Sequence, residues 1–210
     1  MLTTMIRFAN SLTILITFFL LTSAPTLRTS GTTGTQGTPG TSVPQKRPDA
    51  PQLAPYVPTG HDVVDRMLSL AGVSKADFVV DLGCGDGRIP IAAAKKYGAR
   101  GLGVDIDPVR ISEAQANLKA AGVQDLVEFR LQDALKTDVS NATVVTTFLL
   151  SASNLRLRPI LTKQLKPGAR IVTNTFSMGD WSPAKTDTFV DATGRTRTLY
   201  LYVADGKVRQ

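Results

Sequence analysis

Apolar positions between residues 56 and 203 follow two periods. Val63, Val64, Met67, Leu68 and Ala71 recur at three- and four-residue steps, which places them on one face of a helix capped by Thr59 and closed by Gly72. The run FVVDL at 78–82 is short, apolar and β-branched, as in a buried strand. A glycine turn over 83–87 leads into a helix over 88–97. Pro90 falls in its first turn, where the missing N–H has no intrahelical partner to lose. RGLGVD at 100–105 reads as a second strand. Asp107 then caps a helix that begins at Pro108, carries Ile111, Ala114, Leu118 and Ala121 on one face, and ends at Gly122.

Further strands are predicted at 126–131 and 143–149. About ten residues join them, room for one helical turn. Pro159 is expected to open another helix, which Lys166-Pro167-Gly168 stops before a strand at 169–175. Two closing strands, 186–191 and 197–203, flank a turn at Gly194 and read as an antiparallel hairpin. Alternating strands and helices predict a Rossmann-like α/β fold, a mostly parallel sheet with helices on both faces and a C-terminal antiparallel hairpin. Ligands of such sheets sit beyond the carboxyl ends of the strands. Residues 81–87, 105–107 and 133–134 all fall at such ends, so the fold brings them to one rim.

Upstream the pattern changes. Residues 1–48 hold no Asp or Glu and carry Arg7, Arg28, Lys46 and Arg47, which is +4 of the chain's net +7. After Arg7 comes FANSLTILITFFLL, nearly all apolar or Ser/Thr. Residues 1–25 therefore read as a signal peptide or membrane anchor, with an organelle transit peptide as a third reading. The 17 residues from Phe8 to Ala24 are near the short limit for a span, and Pro25 makes a poor cleavage context. Residues 26–55 are rich in Gly, Thr and Pro and form a linker with little to bury. The domain is expected over 56–210, associated with a membrane through the N-terminal segment. From Asp49 onward 20 Lys/Arg face 17 Asp/Glu with no basic–aromatic run, so no nucleic-acid partner is expected. One Cys and one His leave no disulfide framework and no Cys-rich or multi-His metal site.

The rim carries the chemistry. Asp81-Leu82-Gly83-Cys84-Gly85-Asp86-Gly87 alternates glycines, which permits a sharp turn and close approach to a ligand. A dinucleotide loop would put its third glycine at position 88, which is Arg. Asp81 and Asp86 carry the wrong charge for cradling phosphates and suit a ligand with a cationic amino-acid portion. Asp105 can accept from two ribose hydroxyls. Asp133 can take an adenine amino group, or serve as a helix cap. Cys84 reads as a small filler, His61 as a surface residue, and Lys95 and Lys96 as a solvated face.

A cationic amino acid, a ribose and an adenine together describe S-adenosyl-L-methionine. On VVDLGCGDG at 79–87 and GVDID at 103–107 the chain closely resembles the class I methyltransferase family. That resemblance implies a seven-stranded sheet, with Asp81, Gly83, Gly85 and Gly87 at the methionine end, Asp105 at the ribose and Ile106 among the cofactor-binding residues. A narrower resemblance rests on Tyr56-Val57-Pro58-Thr59, DLGCGDGRI, LRPILTKQLKPGARIV at 157–172 and FSMGDW at 176–181. Together these look like the lysine methyltransferases of the ATP synthase c-subunit and the adenine nucleotide translocator, with their bacterial relatives. One departure is FLLS at 148–151, where Ser151 stands in place of a proline or other pocket residue.

The expected activity is methyl transfer to a protein lysine. A small-molecule or lipid acceptor and a non-catalytic binding module are the alternatives, and Arg88 argues against a nicotinamide enzyme. Tyr56, Asp180 and Trp181 are the catalytic candidates near the rim. A ring face of Tyr56 or Trp181 can contact a cationic side chain, and each of the three has a plain packing or turn reading beside it.

Overall fold

The computed structural model describes Asp49 and residues 51–210. The expected signal or anchor at 1–25 and most of the linker lie outside the described residues. Among the described residues, no helix is long and apolar enough to cross a membrane.

Helix α1 (His61–Leu70) precedes β1 (Phe78–Leu82), α2 (Arg88–Tyr97), β2 (Arg100–Asp105), α3 (Pro108–Ala121) and β3 (Val127–Leu131). A short 3-10 turn, Ala134–Lys136, lies between β3 and β4 (Val144–Thr147). Helix α4 (Ser151–Gln164), β5 (Arg170–Asn174), β6 (Lys185–Val190) and β7 (Thr196–Val203) complete the domain. The seven strands lie in the order β3-β2-β1-β4-β5-β7-β6. The first five pair in parallel, and β7 runs antiparallel to both β5 and β6. The chain leaves β3 at one edge and re-enters beside β1 as β4. The strand order therefore reverses at β1 and β4, and such a reversal opens a crevice at the carboxyl ends.

Neighbouring residues of the central strands face opposite layers. Val79 and Val144 pack with Val63, Met67, Ile89 and Ala93 of α1 and α2. Val80 and Val145 pack with Leu157 and Leu161 of α4. Burial on both faces explains why FVVDL shows no polar alternation. A third cluster joins Ile111, Ala114 and Leu118 of α3 to Val127 and Phe129 of β3.

Three boundaries differ from the sequence expectation. The N-cap of α1 is Gly60, not Thr59, whose carbonyl instead accepts from Arg88 Nη1. Helix α4 begins at Ser151, and Pro159 lies inside it. Its first turn is polar, and the buried Ser153 and Asn154 bond to the chain carbonyls of Leu53 and Phe176. Such a turn has no apolar period to read. Pro159 removes the bond to the carbonyl of residue 155, and Leu155 is exposed, where water can replace it. Finally, Leu53 and Ala54, assigned to the linker, are half-buried against the α4 layer.

Candidate active site

The crevice is an open cleft at the carboxyl ends of β1, β2 and β4. Residues 52–59 form one wall, and the glycine loop, the end of β2 and the end of β4 form the others.

The glycine loop holds a conformation that side chains would block. Gly83, Gly85 and Gly87 all have positive φ, at 83°, 54° and 79°. A Cβ at Gly85 would stand 2.5 Å from Tyr56 Cε2, and one at Gly87 would stand 2.3 Å from Phe129 Cζ. The N–H groups of Gly83 and Cys84 both donate to the Val104 carbonyl at 2.9 Å, tying the loop to β2.

Asp105 is fixed by backbone. Its Oδ2 accepts from Gly85 N–H at 3.0 Å and its Oδ1 from Asp107 N–H at 2.9 Å. Asp107 in turn caps α3 by accepting from Val109 N–H. Asp133 caps the 3-10 turn, its Oδ1 accepting from Leu135 N–H at 2.9 Å, and it lines the cleft as well. Ile106 lines the cleft with these carboxylates.

Asp81 is 2% exposed, and the Thr146 hydroxyl donates to its Oδ1 at 2.7 Å. Burial pushes its carboxyl up to about 7 despite that bond, with the charges of Asp105 and Asp86 adding to the rise. Among the described residues, no Lys or Arg pairs with it. Asp86 differs. Burial pushes it up too, but the hydrogen bonds and charge of Arg88 outweigh that and hold it below the usual carboxylate range. Arg88 Nε donates to Asp86 Oδ1 at 2.8 Å while Nη1 reaches the Thr59 carbonyl, which ties the loop to the segment before α1.

Tyr56 lies across Gly85, with the Arg110 guanidinium 4.4 Å above its ring. Its phenol is raised by burial and by the charge of Asp86, so it keeps its proton at neutral pH. Cys84 is buried among Ile91, Ala94 and Phe129, and burial pushes its thiol well up. Its side chain fills space and supplies no thiolate.

The cleft thus gathers Asp81, Gly83, Gly85, Asp105, Ile106, Asp133 and Tyr56, with Gly87 directly behind as the N-cap of α2. It does not gather Asp180 and Trp181. Trp181 is buried against the Tyr202 ring at a centroid distance of 4.9 Å, with Arg209 stacked on it at 4.4 Å. Asp180 pairs with Arg158 in a separate surface hollow that they line with Trp181 and Arg209. The Tyr202 hydroxyl accepts from Met178 N–H at 2.9 Å and draws this stretch into the core instead of toward the rim. Neither residue lines the cleft that holds Tyr56, the third candidate.

Sequence reasoning missed Phe148, Leu149 and Arg110, which line the cleft, and Thr146, which holds Asp81. Phe148 and Leu149 fall in a strand-like apolar run, and only their departure from the ladder after Thr147 exposes them to the cleft.

Residues 81–185 match the model of the ANTKMT methyltransferase domain. A protein-lysine N-methyltransferase of Saccharolobus islandicus (strain REY15A) is 46% identical over 150 residues, 71% of this chain and 92% of that protein. The ATP synthase C-subunit lysine N-methyltransferase of Homo sapiens is 29% identical over 129 residues, 61% of this chain and 54% of that protein. Among solved structures, an RNA methyltransferase from Salinibacter ruber in complex with S-adenosyl-L-homocysteine superposes with a TM-score of 0.68. It is 49% identical and covers 73% of this chain and 97% of its own.

Proposed function

This chain belongs to the ANTKMT methyltransferase family, and from that premise we propose that it methylates the ε-amino group of a lysine in a protein. It is an S-adenosylmethionine-dependent methyltransferase. The cofactor supplies a methyl group already activated on a sulfonium, so the protein's task is to bind, orient and exclude water.

The residues of the cleft fit that cofactor. Asp81 is a buried carboxylate with a hydroxyl as its protein partner, so a cationic ammonium satisfies it. Each oxygen of Asp105 accepts one backbone N–H and keeps capacity for a ribose hydroxyl. Asp133 uses one oxygen as a cap and offers the other to an adenine amino group. Ile106 offers apolar surface beside them.

A lysine arriving as ammonium has no lone pair and must lose its proton first. Entry beside the positive charge of the cofactor's sulfonium lowers its pKa and favours proton loss to solvent. Tyr56 holds its own proton and acts as ring surface, not as a base.

One observation carries the choice of acceptor. Five aspartates and two arginines line the cleft, a balance that attracts a cationic side chain and repels a polyphosphate backbone. The Salinibacter ruber structure, named an RNA methyltransferase, keeps RNA as the second reading. The test is to incubate the protein with tritiated S-adenosylmethionine and a lysine-rich protein pool, total RNA or a lipid extract. We expect label in protein, recovered as methyl-lysine after acid hydrolysis. Label confined to RNA or lipid overturns the acceptor, and tight cofactor binding with no label overturns catalysis.

A further inference from the structure

Phe148 lines the cleft one residue beyond the end of β4. Behind it stands Phe176, two residues beyond the end of β5, with the rings 6.4 Å apart and inclined by 26°. Strands β4 and β5 are parallel neighbours, so their carboxyl ends emerge side by side. Adjacent strand ends do not by themselves stack two rings, and further contacts aim Phe176.

Thr175, between β5 and Phe176, has φ of 67°, and among the described residues it is the non-glycine with positive φ. A β-branched residue in that region is strained and persists only where its surroundings impose it. Here Thr175 N–H donates to the Thr198 carbonyl of β7 at 2.8 Å, and Phe176 N–H donates to the Asn174 carbonyl at 2.8 Å. Asn154 of α4 supplies the other anchor. It is fully buried, its Nδ2 donates to the Phe176 carbonyl at 2.9 Å, and its Oδ1 accepts from the Thr147 hydroxyl at 3.3 Å. One amide therefore ties the end of β4, which carries Phe148, to the turn that carries Phe176.

A buried amide and a strained threonine spent on the backbone of one half-buried phenylalanine exceed what packing alone requires. We infer that Phe148 is the wall along which the acceptor's alkyl chain lies, and that Phe176, Asn154 and Thr175 are positioning residues that hold it. The wall is flat and apolar and lines the same cleft as the aspartates, which suits an unbranched aliphatic amine: ring surface for the methylenes and carboxylates for the charged end. This rests on the lysine reading above.

The experiment compares Phe148→Ala, Phe176→Ala, Phe176→Tyr and Asn154→Asp. Asn154→Asp keeps the acceptor for Thr147 and deletes the donor to the Phe176 carbonyl. Steady-state kinetics give kcat and the KM for a lysine-containing acceptor protein, and calorimetry gives the Kd for S-adenosylmethionine. The alanine variants and Asn154→Asp should raise the acceptor KM about tenfold, while cofactor Kd stays within about twofold. Phe176→Tyr, which keeps the ring stack, should restore the wild-type KM. If Asn154→Asp fails to fold, Phe176→Ala decides, since Phe176 is half-exposed and its loss leaves the core intact. An unchanged acceptor KM, or a cofactor Kd that worsens in step with it, overturns the inference. Wild-type protein that labels RNA and not lysine overturns the acceptor class instead. The alkyl wall falls with it, whereas labelled lysine with an unchanged acceptor KM in the variants overturns the wall alone.

Discussion

The Thr146 hydroxyl of β4 donates a 2.7 Å hydrogen bond to Asp81 of β1, its direct partner in the parallel register. Both side chains are buried, and this bond is what holds the carboxylate toward the cleft. It also opposes, without cancelling, the effect of burial that lifts Asp81 to about 7.

Removing that donor makes the anion harder to form. Thr146→Val should therefore move the acid limb of cofactor binding to higher pH and weaken binding at pH 7 about tenfold, whereas Thr146→Ser should bind like wild type. Calorimetric titration across pH 6–9 reads both effects.

The raised Asp81 makes stability and binding oppose each other. Its folded pKa, about 7, exceeds the ordinary carboxylate value of 3.8, so the folded state binds the extra proton between those limits. The cofactor-free protein therefore loses stability as pH rises from about 4 to 7, by an amount of order 4 kcal/mol from this group. Asp81→Asn should abolish that slope and raise Tm at pH 8, while weakening S-adenosylmethionine binding at least about 100-fold. Thermal melts and titrations on the same samples check the pair.

The glycine loop should divide by position. At Gly87 a Cβ meets the buried Phe129 ring and Ala114, so Gly87→Ala should destabilise the fold by about 2 kcal/mol or more in urea unfolding. At Gly85 the obstruction is the half-exposed Tyr56 ring, which can swing away. Gly85→Ala should therefore lose less stability and more cofactor affinity.

Tyr56 acts through its ring, since it covers Gly85 and carries the Arg110 stack. Tyr56→Phe should keep cofactor affinity, and Tyr56→Ala should weaken it about tenfold. Equal losses in the two variants point instead to the hydroxyl.

Asp180 and Trp181 serve as opposite controls. Asp180→Ala removes an exposed carboxylate that does not line the cleft and should leave kcat and cofactor Kd unchanged. Trp181→Ala empties core space beside Tyr202 and should cost about 3–5 kcal/mol of stability.

The one-dimensional pattern determined the order of elements, the parallel sheet with its closing hairpin, and the glycine loop with Asp81, Asp105 and Asp133. Those features arise from local rules: the periodicity of strands and helices, glycine where φ is positive, and carboxylates at strand ends. Tertiary structure alone decided which side chains near the rim enter the cleft. Phe148 and Trp181 look alike as aromatic residues beyond a strand, yet one lines the site and the other is buried against Tyr202. The difference lies in contacts made across long sequence separations, Asn154 to Phe176 and Tyr202 to Met178. The polar first turn of α4 and the half-buried Leu53 were hidden for the same reason. A buried polar group or a stray apolar residue is satisfied by whatever the fold brings beside it, and no spacing along the chain announces that partner.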